Sequence, residues 1–356
     1  MMVGRNYTGT LVLKIALIAS LLLISATMAS AVTVGETEQL TFEVNQRAPA
    51  WSPDGQLITY SSEQAIWSMN ADGSEQTRIY DTIAWEGEPS FSADGKYIYF
   101  ATEHVQPFSS NFISIRKVEI AEKSNSLQVA DSTADKRAPV MSPDGTKIAY
   151  LSKAAGNYDI WVMNPDGSSN RQITDSSSDE GAPAWSPDGK MLVYSLEGNI
   201  WEVGIDGSVP VVLRDDAFEN THPVFSPDGT KIAFVSDRSG NSDLWVMNSD
   251  NLGIEQITFD NSSQTHPAWS PEGDKLAFAS NEGGDFNIWT IALSDIDSPI
   301  ELGQDKELII EEEPFNIVKE IEDFVLESPL RTLMILFAMS VVIMLFFLRN
   351  FLKGLD

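Results

Sequence analysis

Pro183-Ala-Trp-Ser-Pro-Asp-Gly189 is one of six versions of a single heptapeptide. The others are Pro49-Ala-Trp-Ser-Pro-Asp-Gly55, Pro89-Ser-Phe-Ser-Ala-Asp-Gly95, Pro139-Val-Met-Ser-Pro-Asp-Gly145, Pro223-Val-Phe-Ser-Pro-Asp-Gly229 and Pro267-Ala-Trp-Ser-Pro-Glu-Gly273. Their leading prolines follow one another at intervals of 40, 50, 44, 40 and 44 residues. A unit of that length can hold several short strands, and a repeat of this period is the mark of a propeller blade.

Strands can be read on either side of each heptapeptide. After the Asp-Gly turn comes an apolar, β-branched stretch such as Leu57-Ile-Thr-Tyr60, Lys147-Ile-Ala-Tyr150 or Lys231-Ile-Ala-Phe234. A second aromatic stretch follows, as in Ile66-Trp-Ser-Met69, Ile160-Trp-Val-Met163 and Leu244-Trp-Val-Met247. A further turn, Asn70-Ala-Asp-Gly73 or Asn164-Pro-Asp-Gly167, leads to a last strand such as Gln172-Ile-Thr174 or Gln256-Ile-Thr258. Glycine accepts the positive φ that these turns require, and Asn and Asp bond their own backbones, so the acidic turns read as hairpins rather than calcium loops. Each unit is therefore expected to be one four-stranded antiparallel sheet, with strands a to d running from the inside outward.

Eight of the nine tryptophans occupy two repeat positions: Trp51, Trp185 and Trp269 in strand a, and Trp67, Trp161, Trp201, Trp245 and Trp289 in strand c. Recurrence at a fixed position points to packing between blades. At these residues the chain resembles the TolB-type propeller family, whose blades carry the same W-S-P-D-G and I-W-x-M-N-x-D-G-S signatures. The resemblance covers residues 38–302. It implies an all-β, six-bladed β-propeller of a kind used for protein–protein contacts in the cell envelope. The bacterial family member carries an α/β domain ahead of its propeller, for which no segment stands here, and it is soluble, so its lipoprotein partner does not carry over.

A ring also needs its last sheet closed, because an open edge strand invites pairing with another chain. Gln39-Leu-Thr-Phe42 repeats the Gln-x-Thr pattern of other outer strands and is the preferred closing strand; Pro299-Ile-Glu-Leu302 is the competitor.

The two ends read differently. Arg5 and Lys14 precede the apolar run 15–24, and Ala29-Ser30-Ala31 offers a cleavage site, so residues 1–31 are expected to be a signal peptide. Residues 332–348 form an apolar run without an interior charge, which at ~1.5 Å per residue reaches about 26 Å and is expected to span a membrane as a single helix. Arg349 and Lys353 mark the tail 349–356 as cytoplasmic and leave the propeller outside. Residues 303–331 read as an acidic, partly helical stalk. The chain lacks cysteine, so disulfides and thiolate metal sites are excluded, and its formal net charge of −29 argues against nucleic acid as a partner.

Strand direction alternates, so the repeated Asp-Gly turns share one face of the ring and the variable b–c and d–a connections share the other. Departures from the repeat on this second face are the candidate partner or ligand contacts. They are Trp85 and Glu88 at the start of blade two, His104 and Phe108 in its longer b–c loop, and a ring of pairs before the strand-a prolines: Arg47-Ala, Gly87-Glu, Arg137-Ala, Gly181-Ala, Thr221-His and Thr265-His. His222 and His266 are equivalent positions on adjacent blades. They could hold a metal with Glu88 or an inward Asp, touch a ligand or partner, or simply pack. Trp85 could anchor an interface or shield a blade edge.

No G-x-S-x-G elbow, H-E-x-x-H helix or Gly-rich phosphate loop is present, and three histidines leave few bases for a triad. The reading is thus a membrane-anchored extracytoplasmic propeller, with no cofactor and no catalytic residue assigned, that binds a protein or an envelope polymer. The alternatives are a hydrolase or lyase acting on glycans through funnel carboxylates, and a subunit of an envelope transport complex.

Overall fold

A computed structural model describes residues 32–295, apart from 44, 105–110, 124, 131–133 and 252. The expected signal peptide, stalk, membrane-spanning run, tail and the strand at 299–302 lie outside the described residues, as does Phe108. Among the described residues no helix is long and apolar enough to cross a membrane.

The described residues form six four-stranded antiparallel sheets. Blade one is Arg47–Trp51, Leu57–Ser62, Ala65–Asn70 and Thr77–Asp81; blade two is Glu86–Phe91, Tyr97–His104, Phe112–Glu119 and Ser126–Gln128. Blade three is Lys136–Met141, Ile148–Ser152, Asp159–Met163 and Arg171–Gln172; blade four is Ala184–Trp185, Met191–Leu196, Asn199–Gly204 and Val211–Arg214. Blade five is Asn220–Phe225, Lys231–Ser236, Asp243–Asn248 and Ile254–Gln256. Blade six takes Gln264–Trp269, Lys275–Ser280 and Asn287–Asp295 from its own repeat and Val32–Gln39 as its outer strand.

Closure is thus made by the N-terminal end, through a strand that ends where Gln39-Leu-Thr-Phe42 begins. Only Gln39 of that stretch lies in the ladder, opposite Trp289. The Gln-x-Thr equivalence nevertheless explains the geometry. Gln172 and Gln256 face Trp161 and Trp245 in the same way. The Thr41 hydroxyl accepts from Ile288 N at 2.8 Å, as Thr174 does from Ile160 and Thr258 from Leu244. The threonine ends strand d by satisfying a strand-c amide that the ladder no longer reaches.

The core is divided by the ring. Six apolar clusters occur, one between each pair of neighbouring blades. Strand b contributes an aromatic at the same position in every blade: Tyr60, Phe100, Tyr150, Tyr194, Phe234 and Phe278, all fully buried. Burial of side chains this large contributes roughly 2–3 kcal/mol each. The strand-a tryptophans tie blades together, with Trp51, Trp185 and Trp269 each donating from the indole N–H to a strand-a carbonyl of the preceding blade: Ala268, Val140 and Val224. These tryptophans are therefore packing, as their recurrence implies.

Each Ser-Pro-Asp-Gly turn is a closed polar circuit. In blade one Ser52 Oγ donates to Asp54 Oδ1 and accepts from Leu57 N, while Asp54 Oδ1 accepts from Gln56 N. Blade six, with Glu272 in the Asp position, uses Asp274 instead.

Candidate functional site: the channel and its loop-face rim

A backbone irregularity aims the site. In five blades strand a carries one extra residue relative to strand b, between Arg47 and Ala50, Gly87 and Ser90, Arg137 and Val140, Thr221 and Val224, and Thr265 and Ala268. The residue before the proline at each bulge has positive φ: Ala48, Glu88, Ala138, His222 and His266, at 49° to 53°. Non-glycine residues held there cost on the order of 1–3 kcal/mol each, and bulges commonly re-aim a side chain. Here all five, with Ala182 of blade four, line a central channel of about 790 Å³. Its walls are otherwise mostly apolar, with strand-a prolines from every blade together with Trp51, Trp185 and Trp269.

Polar groups are few and concentrated at the loop-face mouth. Glu88 accepts from Ala138 N at 2.7 Å, and its Oε1 lies 3.4 Å from Arg137 Nε. Burial pushes the Glu88 carboxyl above its ordinary range, opposed by the Arg137 guanidinium and the Ala138 amide. The guanidinium carbon of Arg137 lies 5.4 Å from the Trp85 ring and 5.5 Å from the Tyr158 ring. Trp85 lies across Gly87: a Cβ on Gly87 would come within 2.4 Å of the indole. The indole thus covers the very position occupied by arginine in blades one and three.

His222 and His266 do converge, with ring centroids 4.2 Å apart and planes inclined by 51°. Each Nδ1 bonds the hydroxyl of the preceding threonine, at 3.1 and 2.9 Å. Burial lowers the His222 pKa to about 4; burial, then the His222 and Arg47 charges, hold His266 well below the usual range. Both imidazoles are neutral at pH 7. Among the described residues no group of three or more His, Asp or Glu side chains could hold a metal ion. Glu88 is engaged by Arg137 and Ala138 rather than by the histidines.

The remaining expected contacts are scattered. Arg47 stacks on the Phe286 ring at 3.8 Å and lines a separate cleft of about 510 Å³ with Trp85 and Glu86. His104 is not in a loop: it is the last residue of its strand, stacks on Phe112 and bonds Ser114 Oγ at 2.7 Å. The blade-two insertion lengthens the b–c hairpin as strand before any loop begins, which draws His104 away from the channel.

Two features escape the sequence reading. The first is a ring of buried polar residues three positions before each strand-a proline: Gln46, Glu86, Lys136, Glu180, Asn220 and Gln264. They brace the d–a connections, as where Glu180 contacts the Thr174 hydroxyl and accepts from Ile160 N at 3.0 Å. Glu180 also lines the channel; its Oε1 is buried without a partner, and burial lifts its carboxyl to about 7. A register count of polar residues before each proline would have found this ring. The second is a set of large apolar side chains exposed on the d–a connections: Phe42 at 76%, Ile83 at 95%, Phe218 at 42% and Phe259 at 71%. Phe42 and Phe259 follow the Gln-x-Thr threonine on neighbouring sheets, so they too are one repeat position. The connections beneath are fixed. Asp216, two residues before Phe218, is drawn to about 2: burial opposes this, but bonds from Asn220, Arg214 and Phe218 N and the nearby Arg238 charge outweigh it. Arg238 in turn lies 5.1 Å from the Phe218 ring.

The fold and channel define a six-bladed propeller whose variable loops surround an apolar central channel. The TolB beta propeller domain model matches residues 122–301, half of the chain, and the chain belongs to that family. An uncharacterized protein of Agrobacterium fabrum is 28% identical over 131 residues, 33% of this chain, which thereby spans less than half, 43%, of that relative. Among solved structures, a candidate TolB from Agrobacterium tumefaciens is similar at a TM-score of 0.57 and 19% identity, covering 75% of this chain and 100% of its own. An oligogalacturonate lyase from Vibrio parahaemolyticus is similar at 0.51 and 18%, covering 71% and 79%. Similarity at these identities speaks to the fold alone.

Proposed function

We propose that this chain is a docking propeller, tethered to a membrane by residues 332–348 and held outside the cytoplasm, whose loop face binds a protein partner. The observation that carries the reading is the set of Phe42, Ile83, Phe218 and Phe259, exposed on four d–a connections of the loop face. Large apolar side chains left in water on a rigid rim are the usual anchors of a protein interface. The opposite face carries the self-satisfied Ser–Asp turns, with Val209 of the blade-four c–d connection as its exposed large apolar side chain among the described residues. Family membership supports the same reading, since propellers of this type serve protein contacts in the cell envelope. An envelope polymer is the other occupant compatible with an outside location, but a polyhydroxylated chain gains little from an apolar rim. The outer strand of blade six starts at Val32, directly after the expected cleavage site, so removal of residues 1–31 would leave the ring closed.

A photo-crosslinking residue placed at Ile83 or Phe259 in the full chain tests the proposal. Adducts with a discrete protein are expected there and not from Thr146 on the turn face. Equal labelling from both faces would defeat the reading. Protease added to intact cells should digest the propeller and spare an epitope on the 349–356 tail.

A second reading, a glycan-active enzyme, draws support from Glu180, a channel carboxyl lifted to about 7 with an unbonded oxygen, the range that suits a general acid. Turnover of an acidic oligosaccharide, lost in Glu180→Gln, would favour it over docking.

A further inference from the structure

Arg137 lines the central channel. Among the described residues its two terminal guanidinium nitrogens make no hydrogen bond, and its only ion pair is the 3.4 Å approach of Nε to Glu88. The side chain is half-buried at the mouth of the channel, with Nε buried and without a hydrogen-bond partner and the terminal nitrogens left unbonded by the protein. Trp85 and Tyr158 flank the group, and Lys153 Nζ lies 4.3 Å from the Tyr158 ring, adding a second positive charge to the same quarter of the rim. A guanidinium with one edge held by a carboxylate and its other edge open is shaped to take a second carboxylate through two parallel N–H donors.

We infer that Arg137 is the receptor for a carboxylate of a docking peptide, borne by a chain terminus or by an Asp or Glu side chain, with an adjacent apolar side chain seated in the channel. This rests on the docking reading above and names the chemistry at its centre. The peptide is chosen over a sugar acid by the channel walls. They are built mostly of proline rings with Trp51, Trp185 and Trp269, which suit an apolar side chain better than a hydroxyl-rich sugar ring.

Ligand-observed saturation-transfer NMR on the full chain in detergent tests this with four probes. They are N-acetylphenylalanine, its amide, N-acetyl-aspartyl-phenylalaninamide and glucuronate. One of the two carboxylate-bearing peptide probes is expected to bind at least tenfold more tightly than N-acetylphenylalaninamide, and which one does so tells a terminal from a side-chain carboxylate. Arg137→Gln should erase that tenfold difference, and Arg137→Lys should restore part of it. Equal binding of acid and amide, tighter binding of glucuronate than of any peptide probe, or an unchanged difference in Arg137→Gln would each overturn the inference. If Arg137→Gln does not fold by circular dichroism, the acid–amide comparison on the unaltered chain decides. Crosslinked partner retained by folded Arg137→Gln would sink the carboxylate site and leave the docking face standing.

Discussion

The two faces of the ring are made from the same strands and treat a recurring carboxylate in opposite ways. In the turn-face Asp-Gly hairpins Asp54, Asp94, Asp144 and Asp188 are held below their ordinary range, chiefly by the neighbouring serine hydroxyl. Before the strand-a prolines of the loop face Glu86, Glu88 and Glu180 are held above it by burial, while Asp216, further out on its connection, is drawn down against burial by its bonds from Asn220, Arg214 and Phe218 N. Backbone follows the same division. Positive φ falls on glycine in the repeated Asp-Gly turns, where it is free of strain, and on Ala, Glu and His at the loop-face bulges, where it is not; the c–d connections of the turn face also hold Glu75, Lys123, Ser169 and Asn251 there. The turn face thus repeats one relaxed a–b hairpin, while the loop face carries the strained bulges whose side chains line the channel.

The contrast is testable, beginning with the largest effect. Gly167 has φ +84°, and a Cβ there would come within 1.8 Å of the Val129 carbonyl oxygen. Gly167→Ala on the turn side should lose about 3 kcal/mol or more in urea denaturation, because backbone rather than a movable side chain must give way.

Glu180→Gln tests the strained face. The folded pKa of about 7 lies above the unfolded value near 4.3, so the folded state holds the extra proton between them. Wild-type stability should fall as pH rises through that window, and the variant should be more stable by roughly 2 kcal/mol at pH 8, with little gain at pH 4. An equal effect at both pH values would show that the buried charge is not the cause.

The histidines give the opposite slope. With His222 held at about 4 and His266 also well below its ordinary range by burial, against an unfolded value near 6.5, the unfolded state takes up protons first on acidification. Stability should therefore drop between pH 6.5 and 4, and His222→Gln with His266→Gln should flatten that drop by on the order of 1–2 kcal/mol.

On the turn face, Ser142→Ala removes the donor to Asp144 and the acceptor of Lys147 N. A loss of about 1 kcal/mol at pH 7 is expected. Because the folded pKa of Asp144 is depressed, its contribution is present above the unfolded value near 3.9 and disappears as pH falls through the folded one. The Ser142→Ala penalty should shrink accordingly in acid melts.

The smallest stability effect is assigned to Gly87→Ala. The added methyl meets only the indole of Trp85, which can swing away, so the loss should stay near 0.5 kcal/mol while the loop-face crosslink weakens severalfold. Large unfolding here would erase the distinction between the faces.

Much of the architecture was legible because each repeat carries its own instructions. Leu57-Ile-Thr-Tyr60 and Ile66-Trp-Ser-Met69 pair in the register their turns require, with Tyr60 opposite Trp67. The Gln-x-Thr pattern likewise identified the end of the closing strand, although Val32–Gln39 lacks an apolar alternation strong enough to announce the rest of it. The site was legible only in part. Pairs such as Arg137-Ala and Thr221-His could be placed near the mouth, but Arg47 turned out to line a side cleft and His104 a strand end. The exposed Phe42 looked like an ordinary strand residue and Phe259 was not singled out, since burial depends on what the next blade covers.

Six sheets, their strand order and the aromatic layers between them follow from residues close in sequence, because turns and two-residue alternation act over a few bonds. The convergence of Glu88, Arg137, His222 and His266 on one channel, and the baring of four apolar side chains on the loop face, were decided by the tertiary structure. Only ring closure brings residues some forty positions apart side by side, and only the extra residue in strand a turns them inward.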